Sequence, residues 1–490
     1  MSRLVSTIAM GTSLASAAAT GYSVPKTLPS NAAAVDPTPV GPSFEFFMWP
    51  SYMRNITPAL DCLGHFDDIY GQRMPIRIGG TTQDRASYDP DLEAYVNYHV
   101  DDPLDAPMAL TYGPKFFDLI SEFGAPTTIG INRALNNRTN TFAATAELKK
   151  RAVKYIDAIE IGNEPDIYLE FWNYPVATAP WNETQEGADA ADWAQDFANR
   201  WEEPLPILAA GGYAIPFPYK PNWPNLPYLI DVAYNESVKA ATKEYNGHLY
   251  AFSDADENDL QHEMQHQRVV ADLGVLPIAS ALGDGKPYII GETGFHGMDF
   301  VMDQQFGGAI QIVDKSLLAL SKGVSRLFYH QGTINQAFFN WWYNDQVNTP
   351  FYGGYVSALA TQGADHIIAA DDGTSLFAQY VLYKNGSPFK IVLVNTDFYD
   401  GKGKRASHTY ELKDLAACKI EAVRMTAPSS YTETTRDQKK PSLEPTIGGQ
   451  YFSNKDCSLK GKAKKEKVSV KGGKASIKVY ASEVVILYLK

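Results

Sequence analysis

Short apolar runs alternate with longer amphipathic stretches between residues 44 and 360. The runs are short enough for single strands, and the stretches repeat their apolar residues at helical spacing. This pattern predicts eight strands, which are Ser43–Met48, Met74–Ile78, Thr127–Ile131, Ala158–Ile161, Ile207–Ala210, His248–Phe252, Pro287–Ile290 and Arg326–Tyr329.

Helices are predicted between these strands, and their order favours one architecture. Eight strands that alternate with helices are typical of a closed (β/α)8 barrel, the TIM barrel, although the same periodicity permits an open doubly wound sheet. We therefore expect a barrel of the α/β class. The predicted helices are Pro114–Phe123, Thr145–Ile156, Asp189–Trp201, Pro227–Tyr245, Leu260–Leu273 and Gly307–Lys322.

The pattern changes after residue 365, where only short strands are predicted. Turns rich in Gly, Asn and Asp separate these strands, which indicates a C-terminal all-β sandwich. We expect a signal peptide at 1–20, an extended lead-in at 21–43, the barrel at 44–362 and the sandwich at 363–490. The predicted sandwich strands are Leu376–Tyr383, Phe389–Asn395, His408–Leu412, Ile420–Met425, Lys467–Val470, Ala475–Tyr480 and Val484–Leu489.

The chain is acidic, with a formal net charge of −13 and a pI near 5.2. A protein of this charge binds nucleic acid phosphates and anionic membranes poorly, so neither is expected as a partner. Aromatic residues make up 12% of the chain, and their rings could stack on sugars or simply fill a large core. The lysine-rich segment Lys455–Lys474 fits either a solvated hairpin or a polyanion-binding patch.

The N-terminus predicts export. Arg3 precedes a weakly apolar stretch that ends in small residues at 15–19, as in a signal peptide with its cleavage site. We therefore expect a secreted, extracellular glycoprotein that acts as a monomer. Five Asn-X-Ser/Thr sequons support this expectation, and they begin at Asn55, Asn137, Asn182, Asn235 and Asn385.

The chain has three cysteines, so at most one disulfide can form within it and one thiol stays free. Cys418 and Cys457 lie in the same late β-rich region, which makes them the expected pair and leaves Cys62 free. Stability is therefore expected to come mainly from the apolar core.

Two predicted strands run directly into a glutamate. In Ala158-Ile-Glu-Ile-Gly-Asn-Glu-Pro-Asp166, Pro165 cannot continue the strand ladder, so Glu164 lies where the strand opens into a loop. In Lys286-Pro-Tyr-Ile-Ile-Gly-Glu-Thr-Gly294, Glu292 lies between glycines that allow a ligand close to the backbone. The carboxyl ends of barrel strands face the active site, so the two glutamates could face each other across the barrel mouth.

Two facing carboxyls are what glycoside hydrolysis requires. One carboxyl, with a raised pKa, protonates the leaving oxygen, and the other attacks the anomeric carbon. In retaining enzymes the two lie about 5–5.5 Å apart. The sequence therefore predicts a glycosidase that acts on a carbohydrate through Glu164 and Glu292 and needs neither a cofactor nor a metal.

The strand followed by Asn163-Glu164-Pro165 and the later strand followed by Glu292-Thr293 resemble the large clan of retaining (β/α)8 glycosidases. Within that clan, Arg73-Met-Pro-Ile-Arg-Ile-Gly-Gly-Thr-Thr-Gln-Asp84 resembles glycoside hydrolase family 79, the β-glucuronidases and heparanases, whose members join a barrel to a β-sandwich. The resemblance covers nearly the whole mature chain. It implies that Glu164 is the acid/base and Glu292 the nucleophile.

The resemblance also implies further contacts. Asn163 would bind the sugar 2-hydroxyl, and Glu45 on the first strand would hold hydroxyls farther from the scissile bond. Arg77 would position a catalytic carboxylate. Tyr250 would donate a hydrogen bond that favours ionised Glu292.

The loop after Glu292 departs from the family pattern. It reads Thr-Gly-Phe-His-Gly-Met-Asp, whereas many relatives carry Asn and Ser there. This loop should touch the substituent on sugar C5, so a neutral sugar stays an alternative to a uronic acid. Tyr329, His330 and His296 are candidates for holding a sugar carboxylate or for packing behind the site.

Two metal motifs compete with this interpretation. His262-Glu-Met-Gln-His266 matches the H-E-x-x-H signature of zinc proteases, but its surroundings are strongly polar and no third ligand follows at helical spacing. The run Asp254-Ala-Asp-Glu-Asn-Asp259 begins like a calcium loop but has no Gly at its sixth position, and Gln265 stands where a Glu is needed, so we reject it.

The preferred function is a secreted, exo-acting β-glucuronidase with a double-displacement mechanism. It would cleave terminal β-D-glucuronic acid, plain or 4-O-substituted, from glycans. A zinc protease and an inactive carbohydrate-binding protein on the same fold are the remaining alternatives.

Overall fold

The computed structural model describes residues 20–251, 259–296, 301–336 and 340–490, without the side chains of Thr20 and His296. Eight parallel strands close into a barrel, because the eighth strand pairs with the first and all other neighbours are consecutive in the chain. This closure confirms the (β/α)8 barrel and excludes the open sheet. The barrel strands are β1 Val40–Glu45, β2 Ile76–Gly79, β3 Thr127–Ile131, β4 Ile156–Ile161, β5 Leu208–Tyr213, β6 Thr242–Ala251, β7 Tyr288–His296 and β8 Val324–Gln331.

Helices follow the strands and cover the barrel. Short 3-10 or π turns lie at Phe46–Met48, Thr81–Arg85, Val153–Tyr155, Pro165–Ile167, Tyr168–Trp172, Leu229–Ala233, Met302–Gln304 and Pro441–Leu443. No helix in the described ranges is long and apolar enough to cross a membrane. The helices are α1 Trp49–Arg54, α2 Thr57–Tyr70, α3 Pro114–Phe123, α4 Arg138–Ala152, α5 Glu183–Trp201, α6 Leu226–Tyr228, α7 Glu236–Ala241, α8 Leu260–Glu263, α9 His266–Gly274, α10 Ile278–Gly283, α11 Phe306–Ser321 and α12 Thr349–Thr361.

One predicted helix is largely wrong. The pattern predicts a helix over Pro227–Tyr245, but the chain forms only α6, a π turn and α7 before β6 begins at Thr242. Tyr245 pairs with Ala210 of β5 on one side and with Tyr288 of β7 on the other. Hydrogen bonding to two neighbouring strands thus outweighs the helical spacing of the apolar residues here.

The C-terminal region is a β-sandwich. Its large sheet contains Ala33–Ala34, His366–Ala369, Phe377–Lys384, Ser387–Asn395, Glu483–Leu489, Lys419–Thr426 and Thr446–Ile447, with Glu466–Ser469 paired to Lys419–Thr426. Its small sheet contains Thr20–Ser23, Ser407–Lys413 and Ala475–Tyr480. Other short strands are Ala86–Tyr88, Val96–Tyr98, Leu110–Tyr112, Trp342–Tyr343, Gln346–Val347, Tyr451–Phe452 and Leu459–Lys460.

The large sheet has two buried faces. Side chains such as Val381 and Leu393 pack with Tyr410 of the small sheet in one apolar core. Alternate residues such as Tyr380 and Val392 belong to the core of the barrel instead. Successive strand residues point to opposite faces, so the same strands fill the sandwich and fix it to the barrel.

The expected lead-in at 21–43 is not a separate extended segment. Thr20–Ser23 pairs in parallel with the strand Ser407–Lys413, and Ala33–Ala34 pairs with His366–Ala369, so this segment contributes to both sheets of the sandwich. The barrel also begins earlier than residue 44, because β1 starts at Val40. The predicted signal peptide at 1–20 lies almost wholly outside the described residues.

The predicted disulfide is also wrong. Cys457 is bonded to Cys62 of α2, with a Cα–Cα distance of 5.3 Å across 395 residues of sequence, and Cys418 is the exposed free thiol. The sandwich packs directly on the outer helices of the barrel, which brings Cys457 to α2. The disulfide therefore joins the two domains, where we expected it within the sandwich.

Candidate active site

The segment after β4 holds Glu164 in an uncommon backbone conformation. Glu164 has φ +53° and ψ +51°, the left-handed region, which costs a residue other than glycine about 1–3 kcal/mol. Hydrogen bonds fix this conformation, since the Glu164 amide donates to the Gly212 carbonyl at 2.8 Å and the Asn163 amide donates to Asp84 at 2.7 Å. Pro165 then opens a 3-10 turn. The strand end therefore presents Glu164 in a fixed position at the barrel mouth.

Glu292 lies on β7 among hydrogen-bond donors. Arg77 Nη1 donates to its Oε2 at 2.7 Å, and the Tyr250 hydroxyl donates to its Oε1 at 2.8 Å. His330 Nδ1 lies 3.6 Å from Oε2. Burial opposes ionisation of Glu292, but His330, Arg77 and Tyr250 outweigh it and hold the pKa of this carboxyl well below its usual value.

Arg77 joins three strands of the barrel. Its guanidinium, fully buried on β2, donates to both carboxylate oxygens of Glu160 on β4, at 3.1 and 2.6 Å. It also donates to Asn163 Oδ1 at 2.8 Å, besides its bond to Glu292 on β7. A planar guanidinium held by two parallel bonds has a fixed orientation. Arg77 therefore fixes the positions of Glu292 and Asn163, and its predicted role of orienting a catalytic carboxylate stays a prediction.

Glu164 and Glu292 face each other at short range. Glu164, Glu292 and His248 each contribute a polar atom to a group in which all atoms lie within 4.8 Å of one another. Burial and, after it, the negative charge of Glu292 together raise the pKa of Glu164 to about 8. At neutral pH the site thus holds one protonated and one ionised carboxyl, the pairing that acid catalysis with nucleophilic attack requires.

His248 is a site residue that the sequence reasoning missed. Its Nδ1 lies 3.0 Å from Glu164 Oε1, and burial lowers its pKa to about 4, so the imidazole is neutral at neutral pH. A neutral imidazole with Nδ1 unprotonated accepts the hydrogen bond that the protonated Glu164 carboxyl donates, and that arrangement favours the protonated form of Glu164. The sequence could have indicated His248, because His248 and Tyr250 stand two residues apart on β6 and so face the same side.

Glu45 and His330 form a second buried pair. His330 Nε2 lies 3.1 Å from Glu45 Oε2, and the Thr82 amide donates to Glu45 Oε1 at 2.8 Å. Burial disfavours a charged imidazole, but Glu292 and Glu45 outweigh it and raise the pKa of His330. The positively charged form of His330 is therefore favoured between two carboxylates of the protein itself.

The remaining predicted residues divide between the site and its surroundings. Asn163, Arg77, Tyr250, Glu45 and His330 gather around the carboxyls of Glu164 and Glu292. In contrast, the Tyr329 hydroxyl lies 2.7 Å from Ser316 Oγ and donates to the Ile312 carbonyl of α11.

The prediction that Tyr329 contacts the sugar is therefore wrong. Neighbours along β8 point to opposite sides, and of Tyr329 and His330 the histidine faces inward. The side chain of His296 lies outside the described residues. Besides His248, the sequence reasoning missed Glu160 and Asp84, which hold Arg77 and the Asn163 amide.

The group of Glu164, His248 and Glu292 is also compact enough to hold a metal ion, among the residues that the structure describes. A divalent cation between the two carboxyls would keep both ionised.

The H-E-x-x-H motif does not form a zinc site. His262 lies on α8 and is partly exposed, whereas His266 begins α9 and is buried, because the helix breaks between them. Both ring nitrogens of His266 are engaged, Nδ1 at 2.8 Å from Asp314 and Nε2 at 2.9 Å from Asp371. The zinc protease interpretation is therefore wrong.

Comparisons with known proteins agree on one group. A family model described as the glycosyl hydrolase family 79 C-terminal beta domain matches residues 379–486. A β-glucuronidase of Aspergillus niger is 28% identical over 72% of this chain and 70% of its own length. A β-glucuronidase of Neurospora crassa is 26% identical over 77% of this chain and 75% of its own length.

Solved structures extend the agreement to three dimensions. The crystal structure of a 4-O-α-L-rhamnosyl-β-D-glucuronidase from Fusarium oxysporum 12S, in complex with Rha-GlcA, is 32% identical and superposes with a TM-score of 0.88 over 96% of this chain and 100% of that one. A family 51 α-L-arabinofuranosidase from Bifidobacterium longum, at 12% identity and a TM-score of 0.60, shares the fold.

Proposed function

The chain belongs to glycoside hydrolase family 79, and from that premise we propose that it removes terminal β-D-glucuronic acid from glycans with retention of configuration. One observation carries the proposal. Oxygens of Glu164 and Glu292 lie within 4.8 Å of each other, and the pKa values of the two carboxyls are shifted in opposite directions. A separation of about 5 Å leaves no room for the water that an inverting enzyme places between its carboxyls.

The reaction has two displacements at the anomeric carbon. In the first, the Glu292 carboxylate attacks that carbon, the bond to the leaving oxygen breaks, and Glu164 gives its proton to that oxygen. In the second, ionised Glu164 takes a proton from water, the hydroxide oxygen bonds to the anomeric carbon, and Glu292 is released. Two inversions restore the original configuration.

The surrounding residues stabilise the negative charge of Glu292 and hold Glu164 in position. Arg77 and Tyr250 hold the nucleophile ionised until it attacks, and Asn163, held by Arg77, lies where a bond to the sugar 2-hydroxyl would strengthen in the transition state. His248 orients the acid/base.

The nature of the sugar rests on the relatives. Two of them are β-glucuronidases, and the Fusarium enzyme acts on a 4-O-rhamnosylated glucuronide. Its 32% identity over its whole length makes a 4-O-rhamnosyl-glucuronide the second candidate substrate. Release of the disaccharide rather than free glucuronic acid would distinguish this specificity from the plain one.

The test is hydrolysis of p-nitrophenyl β-D-glucuronide against the matching glucoside, galactoside and xyloside. We expect turnover of the glucuronide and its loss in Glu292→Gln. Glu170→Gln, the same change at a surface carboxylate, is the matched control and should keep full activity. NMR of the first-formed product should show the β-anomer; an α-anomer would refute the two-step mechanism.

We also propose that the protein is secreted. The signal-like N-terminus, exposed sequon residues such as Asn55 and Asn235, and the Cys62–Cys457 disulfide support export through an oxidising compartment. Recovery of the protein from culture medium, with a mobility shift after endoglycosidase treatment, is the expected result. Accumulation inside the cell without glycans would contradict it.

A further inference from the structure

The charge of the chain is unevenly distributed. Residues 455–490 contain ten lysines and three acidic residues, a formal charge of +7 in a protein whose total is −13. All ten lysine side chains in this segment are exposed. An acidic polymer would therefore be repelled by most of the surface and attracted to this part of the sandwich.

Part of this charge lines a groove. The groove has a volume of about 560 Å³ and lies beside the paired strands Lys419–Thr426 and Glu466–Ser469. Its lining includes Ile420, Val468 and Val470, which pack against the sandwich core, and the hydroxyl-bearing Ser469. Four lysines complete the lining, and they are Lys419, Lys467, Lys471 and Lys490.

One carboxylate faces these ammonium groups. Glu421 stands opposite Lys467 in the strand register, its Oε2 lies 2.6 Å from Lys490 Nζ, and it lies 4.0 Å from Lys465 Nζ. A single glutamate shared by three lysines cannot neutralise them, so the groove keeps an excess of positive charge. Exposed ion pairs of this kind are weak and can exchange for a ligand carboxylate.

We propose that this groove binds uronate units of an acidic polysaccharide and so holds the polymer on the enzyme while the barrel site removes terminal sugars. The proposal rests on the proposed function, because it takes a glucuronate-bearing glycan as the substrate. The charge of the groove matches that ligand, since ammonium groups pair with sugar carboxylates and Ser469 offers a hydroxyl beside them. A simple solvated hairpin accounts for Lys467 and Lys471 but not for Lys419 and Lys490, which line the same groove from other segments of the sandwich.

Cys418 provides a direct probe, because it lines the groove and is the one thiol outside the disulfide. We expect sodium polygalacturonate, which has no β-glucuronide bond to cleave, to slow alkylation of Cys418 by iodoacetamide at least about fivefold at low salt. The protection should disappear as salt screens the charges. Neutral dextran should give none. Equal protection by dextran, or by a DNA oligonucleotide of the same charge, would overturn the assignment to carboxylated sugars.

Charge reversal tests the same site independently of the thiol. The triple variant Lys419→Glu, Lys467→Glu, Lys471→Glu should bind polygalacturonate at least about tenfold more weakly. The matched control Lys402→Glu, Lys404→Glu, Lys440→Glu makes the same change in net charge at exposed lysines elsewhere on the sandwich and should bind as the parent does. Equal losses in both variants, with both folded by circular dichroism, would overturn the proposal.

The small substrate separates the two proposals. Both triple variants should hydrolyse p-nitrophenyl β-D-glucuronide with unchanged kcat/KM, because the groove lies outside the site of Glu164 and Glu292. If polygalacturonate protects Cys418 of the parent protein but the protein hydrolyses no glucuronide, the proposed function is refuted and the proposed binding groove is supported. If the parent protein hydrolyses the glucuronide but does not bind polygalacturonate, the proposed function is supported and the binding groove is refuted.

Discussion

Replacement of Tyr250 by phenylalanine removes one hydroxyl from the active site and leaves the ring in place. That hydroxyl donates to Glu292 Oε1 at 2.8 Å, while Arg77 Nη1 donates to the other oxygen at 2.7 Å. The variant therefore keeps the nucleophile in position but takes away one of the groups that favour its ionised form.

The size of the effect follows from the kind of bond. A hydrogen bond to a charged group contributes about 1.5–3 kcal/mol, and each 1.36 kcal/mol of transition-state stabilisation is about tenfold in rate. We therefore expect Tyr250→Phe to lower kcat/KM about 10- to 100-fold. The pKa of Glu292 should rise as well, because the Tyr250 hydroxyl is one of the groups that lower it.

The assay is kcat/KM for p-nitrophenyl β-D-glucuronide as a function of pH. The acidic limb reports ionisation of the nucleophile in the free enzyme and should move to higher pH in the variant. Tyr288→Phe is the control, because its buried hydroxyl on β7 has no hydrogen-bond partner among the described residues. A loss of less than about threefold in Tyr250→Phe, with the acidic limb unmoved, would refute the reasoning.

Three further predictions follow from the same structure. Since the first step needs protonated Glu164 and burial raises its pKa to about 8, kcat/KM should hold at neutral pH and fall as pH rises through about 8; an alkaline limb near the usual carboxyl pKa would contradict this assignment. His266→Ala leaves two aspartates with buried side chains without their partner and should lower the free energy of urea unfolding by about 3–5 kcal/mol, whereas His262→Ala, at a partly exposed position, should change it by less than about 0.5 kcal/mol. Cys62→Ser removes the bond between α2 and the sandwich and should cost about 2–5 kcal/mol in thermal unfolding, a difference that should vanish when the parent is reduced.

The barrel could be predicted from the sequence because its strands are buried on both faces. Such strands appear as continuous apolar runs, and every barrel strand overlaps a predicted one. Helices α2 and α12 were missed although their signals are present, since Pro58 and Pro350 lie in the first turn and Gly71 ends α2 in the left-handed conformation. The Cys62–Cys457 pair could not be read, because it depends on how the sandwich packs against the barrel.

Site residues were predictable where a strand ends in a polar group. Glu164 and Glu292 stand at such ends, and the barrel topology alone brings strand ends together. Which neighbour along a strand faces the site depends on register instead. Tyr329 and His330 are adjacent on β8, and nothing in their composition says that only the histidine points inward.

The pKa values of Glu164 and Glu292 are shifted in opposite directions because the two glutamates have different neighbours. Both follow apolar strands and both are largely buried, so burial alone would raise both pKa values. Glu292 differs because Arg77, Tyr250 and His330 come to it from three other strands. At Glu164, burial and the negative charge of Glu292 outweigh the opposing charges of Arg77 and His330, and the hydrogen-bond partner is the neutral His248. The nucleophile's ionisation thus helps to keep the proton on the acid, so a variant that neutralises Glu292 should also lower the pKa of Glu164, which titration of the Glu292→Gln protein would measure.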